Sequence, residues 1–133
     1  MVGAGGALAR RVRALVDAGI KVSLFVAADT RQIEQARALG AAEVELHTGE
    51  YAHGKDGELA RLAEGAEHAH ALGLEVAAGH GLTQDNVPAL ATIPAITELN
   101  IGHALVSDAV FVGLREAVRA YRGAMARATP VRR

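Results

Sequence analysis

Three joints in the chain share one design. Ala18-Gly19-Ile20, Leu39-Gly40-Ala41 and Leu72-Gly73-Leu74 each close a helical pattern, place a glycine and open an apolar, strand-like run. A glycine just past a helix supplies the left-handed backbone that ends it. A helix that hands over to a strand again and again marks repeated αβ units. Strands separated by helices pair in parallel, because the crossover returns the chain to the same end of the sheet. This one repeat excludes bundles, meanders and sandwiches.

The segments between the joints fit that plan. Leu8, Val12, Leu15 and Val16 recur on one face of a first helix, with Arg10, Arg11, Arg13 and Asp17 on the others. Residues 1–7 are glycine-rich and aperiodic and are expected to be disordered or a linker, and residues 129–133 to fray. A strand is expected over 21–26, followed by a helix capped by Asp29 or Thr30 with Ile33, Ala36 and Leu39 inward, then a strand over 43–47. A helix over 57–72 places Leu59, Leu62, Ala63, Ala66 and Ala69 on one face before a strand over 74–78. A short helix over 86–90 tolerates Pro88 in its first turn and leads to a last strand over 98–101. Leu105, Val106, Ala109, Val110, Leu114, Val118, Tyr121 and Met125 predict one long closing helix.

Four parallel strands with their helices suit either a small open α/β domain or half of a (β/α)₈ barrel of the TIM-barrel type, which typically takes about 250 residues. One detail favours the half-barrel, over residues 8–128. In Glu43-Val44-Glu45-Leu46-His47 the apolar residues fall on one face and the polar ones on the other. A parallel sheet covered by helices on both sides is ordinarily apolar on both faces. Polar residues facing a barrel lumen remove the conflict, although a solvent-facing edge strand would show the same alternation.

Composition narrows the function. The chain has 133 residues, 14 Lys and Arg against 15 Asp and Glu, and 3% aromatics, so it offers neither a basic field for phosphate backbones nor a stacking surface for bases. Cysteine is absent, which removes disulfides, thiolate catalysis and thiolate-bound zinc. No apolar run approaches the roughly 20 residues that span a bilayer. A cytoplasmic protein with no nucleic-acid or membrane partner is the expectation.

Histidine and glycine mark the ends of three strand-like runs: His47-Thr48-Gly49, Gly79-His80-Gly81 and Gly102-His103. Histidine titrates near neutrality and can give a proton to a leaving group and take one back. A carboxylate such as Glu45 beside it can stabilise developing positive charge. Gly102-His103 opens a helix, and the free amides of a helix N-terminus bind phosphate, particularly after the last strands of a barrel. Phosphorylated small molecules are therefore the expected substrates. Each element taken singly is also compatible with a plain turn. His53, His68 and His70 read as surface residues. A metal site from His47, His80, His103 and Glu45 is a further possibility, without a His-Glu-x-x-His or His-x-His signature to support it.

The motifs Val22-Ser23-Leu24-Phe25, Glu45-Leu46-His47-Thr48-Gly49-Glu50-Tyr51-Ala52, Ala78-Gly79-His80-Gly81-Leu82-Thr83 and Glu98-Leu99-Asn100-Ile101-Gly102-His103-Ala104 resemble the C-terminal half of the pyridoxine 5′-phosphate synthase family, over about residues 8–125. The resemblance implies a (β/α)₈ barrel, usually octameric, that condenses 1-deoxy-D-xylulose 5-phosphate with 3-amino-2-oxopropyl phosphate to pyridoxine 5′-phosphate, phosphate and water in vitamin B6 biosynthesis, with no metal or other cofactor. It implies that His80 is the proton donor and Glu45 the transition-state stabiliser. It likewise implies that Gly81, Gly102 and His103 bind the amino-ketone phosphate. The chain departs from the family pattern at Ala27, where an aspartate is common, and at Asp108. The family's other catalytic histidine and glutamate and its phosphate-clamping arginines belong to the first half of the barrel, which implies that this chain alone does not turn over. Self-association, or a separately supplied N-terminal half, would complete it. The alternatives are a non-catalytic phosphate-binding or scaffold half-barrel and a metal-dependent barrel hydrolase.

Overall fold

The computed structural model describes residues 6–128. At Gly19, Gly40 and Gly73 the backbone is left-handed, with φ of +76°, +94° and +76°. The glycine N–H donates to the carbonyl of Val16, Arg37 or His70 at 2.9, 3.0 and 2.9 Å, and the next N–H, of Ile20, Ala41 or Leu74, reaches back to Leu15, Ala36 or Ala69 at 3.0, 3.2 and 3.1 Å. The same paired closure thus ends three helices, satisfies their last carbonyls and turns the chain into the next sheet segment.

The elements are α1 (Gly6–Asp17), β1 (Ser23–Val26), α2 (Thr30–Leu39), β2 (Glu43–His47), α3 (Gly49–Ala52), α4 (Glu58–Ala71), β3 (Glu75–Gly79), α5 (Val87–Leu90), β4 (Glu98–Asn100), α6 (His103–Val112) and α7 (Leu114–Ala126). The first helix starts at Gly6, within the stretch expected to be a linker, and the remaining terminal expectations, over 1–5 and 129–133, lie outside the described residues. Asp29 caps α2 by accepting the Gln32 N–H at 3.1 Å.

The strands form one parallel sheet in the order β1-β2-β3-β4. Because side chains alternate along a strand, the register sorts the sheet into two unlike faces. Leu24, Val26, Val44, Leu46, Val76, Ala78 and Leu99 share one face and pack in the core with Ile33 and Ala36 of α2, Leu62, Ala66 and Ala69 of α4, and Val87 and Leu90 of α5. Each fully buried Leu, Ile or Val there contributes about 1.5–3 kcal/mol relative to exposure. Phe25, Glu45, His47, Glu98 and Asn100 share the other face, which stays open; Phe25 is 54% exposed. Helices on one side of a short parallel sheet and polar residues on the other is the arrangement of half a (β/α)₈ barrel, with the open face as its lumen.

At the N-terminal ends of the strands, Lys21 crosses the lumen face to Glu43 at 2.8 Å and Glu75 at 2.7 Å. Those two hydrogen bonds raise the Lys21 ammonium above its usual range, and the bond from Lys21 holds the Glu43 carboxyl below its own. The first strand begins at Ser23 rather than at 21, and Lys21 lies just before it. On the helical side, Arg61 donates to Glu58 Oε2 through Nε (3.0 Å) and Nη2 (2.6 Å) and to the Ala28 carbonyl through Nη1 (3.0 Å), tying α4 to the loop after β1. Gly65 permits that approach, since a β-carbon there would lie 3.0 Å from that of Ala28.

The single closing helix expected from periodicity is two. Gly113 breaks it with φ +84° and ψ +149°, a conformation open essentially to glycine alone; its N–H still closes α6 on the Ala109 carbonyl at 2.9 Å, and α7 starts anew. Consequently Ala117, Tyr121 and Ala124 of α7 are buried, whereas Val106, Val110, Phe111, Leu114 and Val118 are exposed, Phe111 at 88%. No helix among the described residues is long and apolar enough to cross a membrane.

Candidate active site

The polar residues singled out by sequence gather at the C-terminal ends of β2, β3 and β4. In a barrel this is the end where active sites form. Glu45 and His47 point into the lumen from β2, and the Glu45 carboxylate lies directly over the Cα of Gly79 on β3, in the space that a β-carbon would need. Asn100 of β4 borders the same glycine from the other side: a β-carbon at position 79 would stand 3.0 Å from Asn100 Cβ.

After Gly79 the chain makes the glycine-rich turn. His80 has φ +94°, and among the described residues it is the one non-glycine with positive φ. Such a backbone costs on the order of 1–3 kcal/mol and persists where the surroundings over-determine it. Thr48, fully buried, does so twice: its N–H donates to the Gly79 carbonyl at 2.9 Å and its hydroxyl to the His80 carbonyl at 2.6 Å. Asn86 braces the rest of the turn. Its side chain accepts the Thr83 N–H at 2.8 Å and donates to the Gly81 carbonyl at 3.1 Å, while Tyr51 of α3 donates its hydroxyl to the Asn86 carbonyl at 2.6 Å. Burial pushes the Tyr51 hydroxyl pKa up, which keeps it a donor. Gly81, at φ +73°, passes so near α3 that a β-carbon there would lie 2.7 Å from that of Ala52.

A cleft of about 530 Å³ opens beside this turn, lined by His80, Gly81, Leu82 and Thr83 on one side and Asn100, Gly102, His103 and Ala104 on the other. Its far wall is the N-terminus of α6, whose cap residue is Gly102 and whose first turn has no side-chain acceptor. Unsatisfied N–H groups and the positive end of the helix dipole therefore border the cavity, a setting suited to a phosphate. Four of the five residues expected at the site, His80, Gly81, Gly102 and His103, line this one cleft; Glu45 stands next to it on the lumen face, beside Gly79.

His47 does not line the cleft but stacks on His80, with ring centroids 4.9 Å apart. Among the described residues no three His, Asp or Glu side chains come together as metal ligands, so the proposed grouping of His47, His80, His103 and Glu45 does not assemble. His53 and His70 are exposed, and His68 is half-buried with Nε2 3.2 Å from Glu34 Oε1. Thr48, Tyr51, Asn86 and Asn100 were not singled out by sequence reasoning. Three of the four lie in or beside the motifs that carried it, and Asn86 sits three residues after the last of the glycine turn.

Four parallel strands with helices on one face and a cleft at the strand C-termini have the architecture of part of a (β/α)-barrel protein. The family model described as pyridoxal phosphate biosynthesis protein PdxJ matches residues 1–127, and the chain belongs to that family. It is 49% identical over 130 residues to a pyridoxine 5′-phosphate synthase of Rhodospirillum rubrum, covering 94% of this chain and 52% of that protein. Synthases of the same name from Gluconobacter oxydans (54% over 119 residues, 90% of this chain and 51% of that protein) and Neisseria meningitidis serogroup A (53% over 126 residues, 91% and 52%) match similarly. The chain spans about half the length of the curated relatives it matches.

Proposed function

We propose that this chain acts as the C-terminal half of a pyridoxine 5′-phosphate synthase, joining 1-deoxy-D-xylulose 5-phosphate to 3-amino-2-oxopropyl phosphate with loss of phosphate and water. The observation that carries the reading is the single cleft in which His80 faces the uncapped N-terminus of α6. There the amides of the Gly102-His103 turn and of Gly81 hold the amino-ketone phosphate, as helix-terminal and loop N–H groups do for anions. His80, at the edge of that cleft, donates a proton to the departing oxygen. Glu45 lies on the lumen side, where its carboxylate stabilises the cationic imine that forms once the amine has added to the ketone and the resulting hydroxyl has left as water. Nothing in this division of labour calls on a cofactor.

The base and the guanidinium clamp come from the other half of the barrel, so turnover requires β1 and β4 to be joined by further strands. Their free edges and the open lumen favour such closure; an N-terminal half would supply the base and the clamp, whereas a second copy of this chain would cover the edges without them. The exposed apolar set on α6 and α7 favours self-association of the completed unit. A cytoplasmic setting accords with such chemistry. A non-catalytic phosphate-binding half-barrel is the second reading, and the same cleft supports it.

Binding separates both from an empty fold. Titrating the labelled chain with 3-amino-2-oxopropyl phosphate should shift the amide signals of Gly81, Gly102 and His103 first. Shifts spread elsewhere, or none at millimolar ligand, would refute the site.

A further inference from the structure

His47 has no part in the chemistry proposed above, yet its ring stacks on that of His80. The two imidazoles stack with centroids 4.9 Å apart and planes inclined by 30°. Phe25 of β1 closes on the other side of His47 edge to face, at 5.2 Å and 80°. The room for this arrangement comes from Gly49, where a β-carbon would lie 2.5 Å from His47 Cε1, 2.9 Å from Nε2 and 3.2 Å from His80 Cδ2. The residue between them, Thr48, holds the His80 carbonyl through its buried hydroxyl. His80 itself is exposed and has φ +94°, so neither burial nor backbone preference fixes the direction of its ring.

We propose that His47-Thr48-Gly49 is a clamp for His80, in which Thr48 fixes the backbone and His47 is a positioning residue that fixes the plane of the His80 imidazole at the edge of the cleft. The inference rests on the reading of His80 as the proton donor. It adds to that reading the reason an exposed histidine in a left-handed turn is presented in one orientation. Proton transfer requires the donor within hydrogen-bond reach of the departing oxygen, and a ring free to change rotamer spends only part of its time there. Stacking on a ring that is itself wedged between Phe25 and the Gly49 backbone removes that freedom without taking up either nitrogen of His80.

The first test needs no turnover. In the isotopically labelled chain, the carbon-bound ring protons of His80 are assigned by their loss in His80→Gln. His47→Ala should move them to the positions of a freely exposed histidine, and His47→Phe, which keeps a flat ring in place, should leave them displaced. Unmoved His80 signals in His47→Ala overturn the clamp whatever the activity. The second test joins the chain behind the first half of the Rhodospirillum rubrum synthase. There His47→Ala should lower kcat by about 10–100-fold, the scale of an ångström-level misplacement, with KM changed by less than about twofold, and His47→Phe should recover most of the loss. A merely structural role would reduce the folded fraction and leave kcat per folded molecule unchanged; that result would also overturn the proposal. Should the joined wild type make no product, the functional reading fails by itself and the ring-proton test decides on the clamp.

Discussion

Replacing Gly79 by alanine should separate catalysis from stability. Gly79 is the last residue of β3, paired in register with His47 and Asn100, and its φ is negative, so alanine strains no backbone. An added β-carbon would fall inside van der Waals contact with Glu45 Oε1, 3.0 Å from Asn100 Cβ and 3.2 Å from the Asn100 carbonyl oxygen. Non-bonded heavy atoms sit at about 3.5–4.0 Å. The Glu45 carboxylate, at the end of a flexible side chain, must therefore withdraw by about 1 Å, while Asn100 gives by a few tenths. A displacement of that size at a reacting group costs up to about 100-fold in rate. On the stability side, the loss of unfolded-state freedom favours alanine by about 0.4–1 kcal/mol, and the crowding at Asn100 opposes it by about 1–3 kcal/mol. The net is at most about 2.6 kcal/mol of destabilisation, within the stability of an ordinary domain and so compatible with a folded protein. The assay is pyridoxine 5′-phosphate formation by the chain joined to a family N-terminal half, beside urea unfolding of the same protein, with Glu45→Gln as the reference for a lost carboxylate. A kcat within about threefold of the parent would refute the reasoning that Glu45 acts from its seat over Gly79.

The two faces of β2 should respond oppositely. Leu46→Ala, in the core, should cost about 2–5 kcal/mol in urea unfolding, whereas Glu45→Gln on the lumen face should change stability by less than about 1 kcal/mol and abolish product formation. Glu58 should govern part of the acid limb of stability. Hydrogen bonds from Arg61 hold its folded-state pKa below the ordinary 4.5, so its contribution is complete above that value and disappears as the pH falls through the lowered one. Glu58→Gln should flatten the dependence of the unfolding midpoint on pH below about 4.5, and a slope unchanged from the parent would contradict the assignment. Finally, Phe111→Glu should weaken self-association measured by sedimentation, since that ring is almost wholly exposed on an apolar stretch of α6; an unaltered sedimentation profile would remove this face from the interface.

The sheet was legible because its signals are local. A glycine after a helix adopts the left-handed turn for its own steric reasons, and the three joints at Gly19, Gly40 and Gly73 read the same in sequence and structure. The alternation in Glu43–His47 announced two unlike faces, and those faces are what the register displays. Gly113 was as visible as the others, but the apolar period of α6 continues into Leu114 and Val118 and masked the break. The periodicity there belongs to exposed positions, so it did not report burial. The one-turn helix α3 is too short to carry a period. Within the site, His80, Gly81, Gly102 and His103 could be named from their motifs, whereas the support for them could not. Thr48 reaches His80 across 32 positions and Tyr51 reaches Asn86 across 35, and such pairings exist only once the strands have aligned. The stacking of His47 on His80 likewise depends on β2 and β3 being neighbours in register.

The most direct test of the account is to supply both substrates to this chain alone, and then to the chain joined behind the first half of the Rhodospirillum rubrum synthase, while following pyridoxine 5′-phosphate and inorganic phosphate. The account predicts product only from the joined protein, in step with phosphate release and lost in His80→Ala. Product from the chain alone would contradict the claim that the rest of the barrel is required, and a folded joined protein that releases neither product would contradict the assignment of this cleft to the synthase reaction.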